Sequence, residues 1–180
     1  MPADLDRYAE PPRDRATLEG RRRALLDQLG WLEDEAAALA PLLAALPAWA
    51  VDQAPLPADL SVKETFAALA ALDRDVFSEW VRRVEEEDAP ALALPAPLPR
   101  PDGANERDLD GLLGDLRSAR ADLRQRVEAV PPEAWSRPAT LDGERTDLYG
   151  LVLAVVRHDA DHLKELAYRL HGADLRPPTS

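Results

Sequence analysis

Residues 89–104 contain Pro90, Pro95, Pro97, Pro99 and Pro101. Each proline removes a backbone donor and fixes φ near about −65°, so no helix passes through this stretch. The chain is therefore split into two halves, joined by an extended, polyproline-like crossover. That crossover is long enough to run along a domain rather than turn back tightly. Regular structure has to lie on either side of it.

On both sides the apolar residues recur at helical spacing. Leu18, Leu25, Leu29, Leu32, Leu39 and Leu43 predict a first helix over about residues 16–46, with Pro41 able to kink or end it early. Trp31, beside Leu32, is expected at the edge of the core. Residues 47–60 are rich in proline and are expected to be non-helical. Ser61 and Glu64 then form a capping-box pattern opening a second helix to about residue 87. Its apolar side holds Val62, Phe66, Leu69, Val76, Phe77, Trp80 and Val84, and Asp73 falls inside that stripe. The acidic run of residues 85–88 opposes the helix dipole, so this helix is expected to fray.

A third helix is predicted over about residues 106–130 from Leu109, Leu112, Leu113, Leu116, Leu123 and Val127. A fourth begins near Thr146 and ends near Gly172, with Pro177 and Pro178 preventing continuation. Strand alternation is nearly absent. The fold class expected is all-α: a four-helix bundle of two helical hairpins joined by the long proline-rich crossover. Residues 1–15 read as a flexible lead-in, 16–172 as the bundle and 173–180 as a flexible tail. Proline followed by tryptophan precedes both helix two (Pro47, Trp49) and helix four (Pro132, Trp135), so each tryptophan is expected to plug one end of the bundle.

Composition narrows the function. Cysteine is absent, which removes thiolate ligands, a cysteine nucleophile and disulfides. The formal charge of −12 argues against nucleic acid as a partner, and the basic run Arg21 to Arg23 reads as a solvated helix face. No apolar run is long enough to span a bilayer and no leader pattern is present, so a cytoplasmic protein without membrane attachment is expected.

Two of the three histidines, His158 and His162, lie four residues apart on the apolar stripe of helix four. Two imidazoles on one buried face either begin a metal site or form a costly polar feature. Together with Ser61-Val62-Lys63-Glu64, the loops around Trp49 and Trp135, and the run from His158 to Leu163, this order of elements resembles the DinB/YfiT-like superfamily over about residues 16–172. The resemblance implies a divalent metal, zinc or nickel, held by His158, His162 and a histidine on helix two. It also implies a small-molecule substrate, with transfer of a low-molecular-weight thiol as one activity, and pairing into a homodimer.

The resemblance puts the helix-two histidine seven residues after Ser61, and that position is Ala68. Alanine cannot bind a metal. Asp73, in the apolar stripe but about 140° further round the helix, is the candidate replacement. Two readings stand side by side. One is a degenerate site, non-catalytic or weakly metal-binding. The other is a metal-dependent thiol-S-transferase-like or hydrolase-like enzyme using His158, His162 and Asp73.

Overall fold

The computed structural model describes residues 14–54 and 59–172. The N-terminal lead-in up to residue 13 and the tail from residue 173 lie outside them. Helix α1 runs over Arg15–Ala44. The Asp14 carboxylate starts it by accepting from the backbone amides of Ala16 and Thr17 at 3.1 and 3.0 Å. Leu25, Leu29 and Leu43 are buried along one side. Pro41 falls within the last turn, and the helix ends only three residues beyond it. Trp31 does not reach the core. It is 79 % exposed, because it stands about 200° round the helix from Leu29.

The link after α1 is not wholly irregular. Helix α2, Ala48–Asp52, lies between Pro47 at its N-cap and Gln53 at its C-cap, and it buries Val51. The second long helix is continuous but composite: α3 (Val62–Ala71), a π-helical segment (Leu72–Phe77) and α4 (Ser78–Glu86). The predicted capping box is present. The Ser61 hydroxyl accepts from the Glu64 amide at 3.0 Å, and the Glu64 carboxylate accepts from the Ser61 amide at 2.7 Å. Fraying at the acidic end does not occur before Glu86. Arg82 pairs with Glu79 and Glu86, and Arg83 with Glu87, which offsets the unfavourable dipole.

Among the described residues, three short strands correct the expectation that strands are nearly absent: β1 (Ala91–Leu92), β2 (Ala139–Leu141) and β3 (Glu144–Thr146). Their order is β1-β2-β3, with β1 parallel to β2 in the register Ala91 to Thr140, and β2 antiparallel to β3. Asp142 and Gly143 join β2 to β3 with φ of 51° and 86°. An Asp-Gly pair with both φ positive is a strong short-range hairpin signal, here flanked by runs too short to show strand alternation. The ladder ties the crossover to the segment before the last helix. Arg137 reinforces it by donating to the carbonyls of Glu85 and Glu87.

Helix α5 spans Leu109–Ala129, opened by Asp108, whose carboxylate accepts from the Gly111 amide at 2.7 Å. Helix α6 spans Leu148–Gly172. Its cap is Asp147, which accepts from the Gly150 amide at 3.1 Å, and not Thr146, which ends β3. Trp135 is fully buried against Tyr149 at 5.0 Å between ring centroids, as a plug should be. Trp49 is only half-buried. The Arg21 and Arg22 guanidiniums lie over the Tyr149 and Trp135 rings, so this basic run is partly packing rather than purely solvated.

The chief helix contacts are those of α1 with α5 and α6, and of α3 with α5. The apolar interior divides into two clusters. One contains Leu29, Phe77, Trp80, Leu123, Trp135 and Val155. The other contains Leu43, Val62, Phe66, Leu116, Ala119 and Leu166. Along the second helix, α5 and α6 alike, the border between the two clusters is marked by charged or polar residues.

Candidate functional site

That border is built from three helices. The π segment contributes Asp73, α5 contributes Arg120, and α6 contributes His158, Asp159 and His162. Asp73, Arg120, His158 and Asp159 are all buried. Arg120 forks onto Asp73, with Nε donating to Oδ2 at 2.9 Å and Nη2 to Oδ1 at 3.2 Å. Nη2 also donates to Asp159 Oδ2. A planar guanidinium suits this double use better than an ammonium would. Arg120 Nη1 has no hydrogen-bond partner.

The π segment helps to hold Asp73 in place. In the widened turn the Asp73 carbonyl accepts from both the Ser78 backbone amide and the Ser78 hydroxyl, the latter at 2.7 Å. Burial raises the Asp73 carboxyl to about 6, while the Arg120 charge and hydrogen bonds pull it down.

His158 lies against the Phe77 ring at 5.7 Å and the His162 ring at 4.5 Å, edge-on in both cases. Its Nδ1 faces Asp159 Oδ1 at 3.4 Å, and its Nε2 is buried with no hydrogen-bond partner. Desolvation, followed by the neighbouring His162 and Arg120, lowers the His158 pKa to about 4. At neutral pH this ring is uncharged. His162 is more open, with a side chain 26 % exposed and Nδ1 at 3.7 Å from Glu165 Oε2.

Two depressions meet at His162. An open cleft of about 480 Å³ is lined by Leu94, Leu153, Ala154, Arg157, His158, Asp161 and His162. A smaller one of about 140 Å³ is lined by Thr65, Leu98, His162 and Glu165. Leu94 and Leu98 both belong to the crossover, so the proline-rich segment borders His162 in both depressions and His158 in the larger one. Its backbone is tied down there: the Leu94 amide donates to Asp142 Oδ1 at 3.2 Å.

The structure thus brings His158 and His162 together, as their spacing requires, and turns Asp73 to Arg120. Among the described residues no group of three or more His, Cys, Asp or Glu stands together as a metal site. Ala68 is buried on α3 and supplies no donor. The side chain absent from the sequence reading is Arg120. It occupies a stripe position of α5, four residues after Leu116 and three before Leu123, and a buried-face arginine was the available signal.

The DinB superfamily model matches residues 31–166. The chain belongs to the DinB superfamily. The DinB-like fold is also found in YfiT from Bacillus subtilis, a solved structure described as a probable metal-dependent hydrolase with an unusual four-helix bundle topology. It is 15 % identical, with a TM-score of 0.59 over 91 % of this chain and 94 % of that one. No curated protein sequence matches the chain. This DinB member has no helix, among its described residues, long and apolar enough to cross a membrane.

Proposed function

We propose that this DinB-family bundle carries an incomplete metal centre and is non-catalytic or weakly metal-binding, with the cleft at His158 and His162 taking a small molecule. The observation that carries this reading is the engagement of the nearby carboxylates. Asp73 and Asp159 both accept from Arg120. A catalytic zinc site ordinarily draws three protein ligands. The imidazoles of His158 and His162, with Nε2 of His158 unpartnered, fit two of them, and Ala68 and the Arg120-bound Asp73 do not fit the third. A fixed guanidinium next to the pair also disfavours a second cation. A metal-free role for His158 as general base is unattractive as well, because an imidazole held near 4 is a weak proton acceptor at neutral pH.

The alternative is a metal-dependent hydrolase-like or thiol-S-transferase-like enzyme, supported by the histidine pair and by the description of YfiT. Asp73 would have to leave Arg120 to serve as its third ligand.

Protein purified without a nickel column separates the two readings. Elemental analysis is expected to find no stoichiometric metal. Calorimetric titration with zinc or nickel is expected to show weak binding that His158→Ala or His162→Ala abolishes and Ala68→His tightens. Tightly held stoichiometric metal, together with a chelator-sensitive hydrolase or thiol-transfer activity, would overturn the proposal.

A further inference from the structure

Asp159 follows His158 directly in the sequence, and adjacent residues on a helix point about 100° apart. They do not face one another by default. Here the Asp159 carboxylate is nonetheless beside the ring, with Oδ1 at 3.4 Å from Nδ1. Its other oxygen is held from across the bundle by Arg120. Arg120 is in turn fixed by its two hydrogen bonds to Asp73 on the π segment.

A carboxylate that accepts from a guanidinium has only lone pairs to offer its other neighbours. Nδ1 of His158 can face Oδ1 favourably only if it carries hydrogen. A neutral imidazole has one such hydrogen, so Nε2 is then bare. The other rings against His158 do not compete, since Phe77 is apolar and His162 meets it by an edge.

We propose that Asp159, held on its far side by Arg120, is a positioning residue which fixes His158 as the Nδ1–H tautomer and leaves its buried Nε2 as a bare electron-pair donor. His158 lines the cleft while Nε2 itself is buried, so the tautomer decides only what a group that reaches that nitrogen must offer. It takes a group bringing an N–H or O–H, or a Lewis acid, and it does not take a carboxylate or another bare acceptor at that atom. The proposal rests on the reading of the His158–His162 cleft as a binding site only for what the lone pair would meet. The tautomer itself is a property of the metal-free protein.

The test is ¹⁵N-resolved NMR of the histidine side chains in metal-free full-length protein at neutral pH. Wild type is expected to show His158 with protonated Nδ1 and unprotonated Nε2. In Asp159→Asn the side-chain amide can donate to Nδ1, and the proton is expected to move to Nε2, the wrong-tautomer effect seen when a triad aspartate becomes asparagine. Asp73→Asn removes the same charge from Arg120 without touching the ring, and is expected to retain the wild-type tautomer. Near-ultraviolet circular dichroism establishes that each variant is folded.

A protonated Nε2 in wild type overturns the proposal without any variant. An unchanged tautomer in folded Asp159→Asn, or an equal change in Asp73→Asn, also overturns it. Tight metal binding would defeat the proposed function yet leave these outcomes readable, because the spectra are taken without metal.

Discussion

Glu64 and Asp73 lie on one continuous helical run, and each accepts from an arginine brought in from elsewhere in the chain. Glu64 is held by Arg100 at 2.7 Å, but that arginine is 45 % exposed and the same carboxylate also caps the helix. Around it, the Ser61 hydroxyl donates to Asn105 at 2.6 Å, and Lys63 bonds both the Asn105 carbonyl and Asp52. Ser61 and Glu64 are themselves buried, but Arg100 and Asp52 reach solvent, so water can take the place of the outer partners if they are lost. Asp73 shares Arg120 with Asp159 where all three side chains are at most 4 % exposed. Water cannot follow there. The same chemical pair is thus a replaceable clasp at the helix start and an obligatory contact between the two apolar clusters.

Removing Arg120 is the strongest way to break this comparison. Arg120→Met leaves two buried carboxylates without their cation and is expected to cost about 3–5 kcal/mol in urea unfolding. Replacing all three charges together, as Asp73→Leu, Arg120→Met and Asp159→Leu, should recover most of that loss, because it removes the uncompensated charges as well. Equal instability of the single and triple variants would mean that packing, rather than charge pairing, decides.

Acid sharpens the contrast, because the buried layer contains groups that titrate abnormally. His158 has a folded pKa near 4 against 6.5 when free, so between these values the unfolded chain binds more protons and stability falls as pH falls. Asp73 acts oppositely between about 6 and 3.8, since there the folded form binds more protons and stability rises as pH falls. His158→Gln removes only the first effect. Relative to wild type it is expected to gain up to roughly 3 kcal/mol between pH 7 and pH 4, read from urea melts at both values. A constant difference would show that His158 is not held neutral.

The smallest change belongs to the cap. Ser61→Ala is expected to cost about 1 kcal/mol and to leave the fold intact. A loss equal to that of Arg120→Met would erase the distinction between the two regions.

The distance between partners along the chain explains which region could be read in advance. Ser61 and Glu64 are three residues apart, so the capping box is written into a short local pattern and appears as expected. Asp73 and Arg120 are separated by 47 residues, and Arg120 and Asp159 by 39. Nothing in either neighbourhood specifies the other. The stripe of the second helix still flags Asp73 as a polar residue where an apolar one belongs, and Arg120 interrupts the stripe of α5 in the same way. Seen together, two such interruptions of opposite charge would have suggested one another. The prolines of residues 89–104 divide the bundle as expected, whereas the hairpin at Asp142 and Gly143 was readable but obscured by strands of only three residues. His158 and His162 are neighbours because one turn of α6 makes them so. What lies across from them depends on long-range packing, which spacing alone does not encode.

The π segment takes up about one residue more per turn than the α-helix on either side of it. Its residues 72–77 join two stretches whose buried faces answer to different clusters, Phe66 and Leu69 above and Trp80 and Val84 below. One residue corresponds to about 100° of helical rotation. Deleting one residue here can be absorbed by a return to α-helical geometry with both halves seated, whereas adding one would swing one half away from its cluster. A substitution on this helix is a local event and a deletion within the π segment can stay one, but an added residue is a global one.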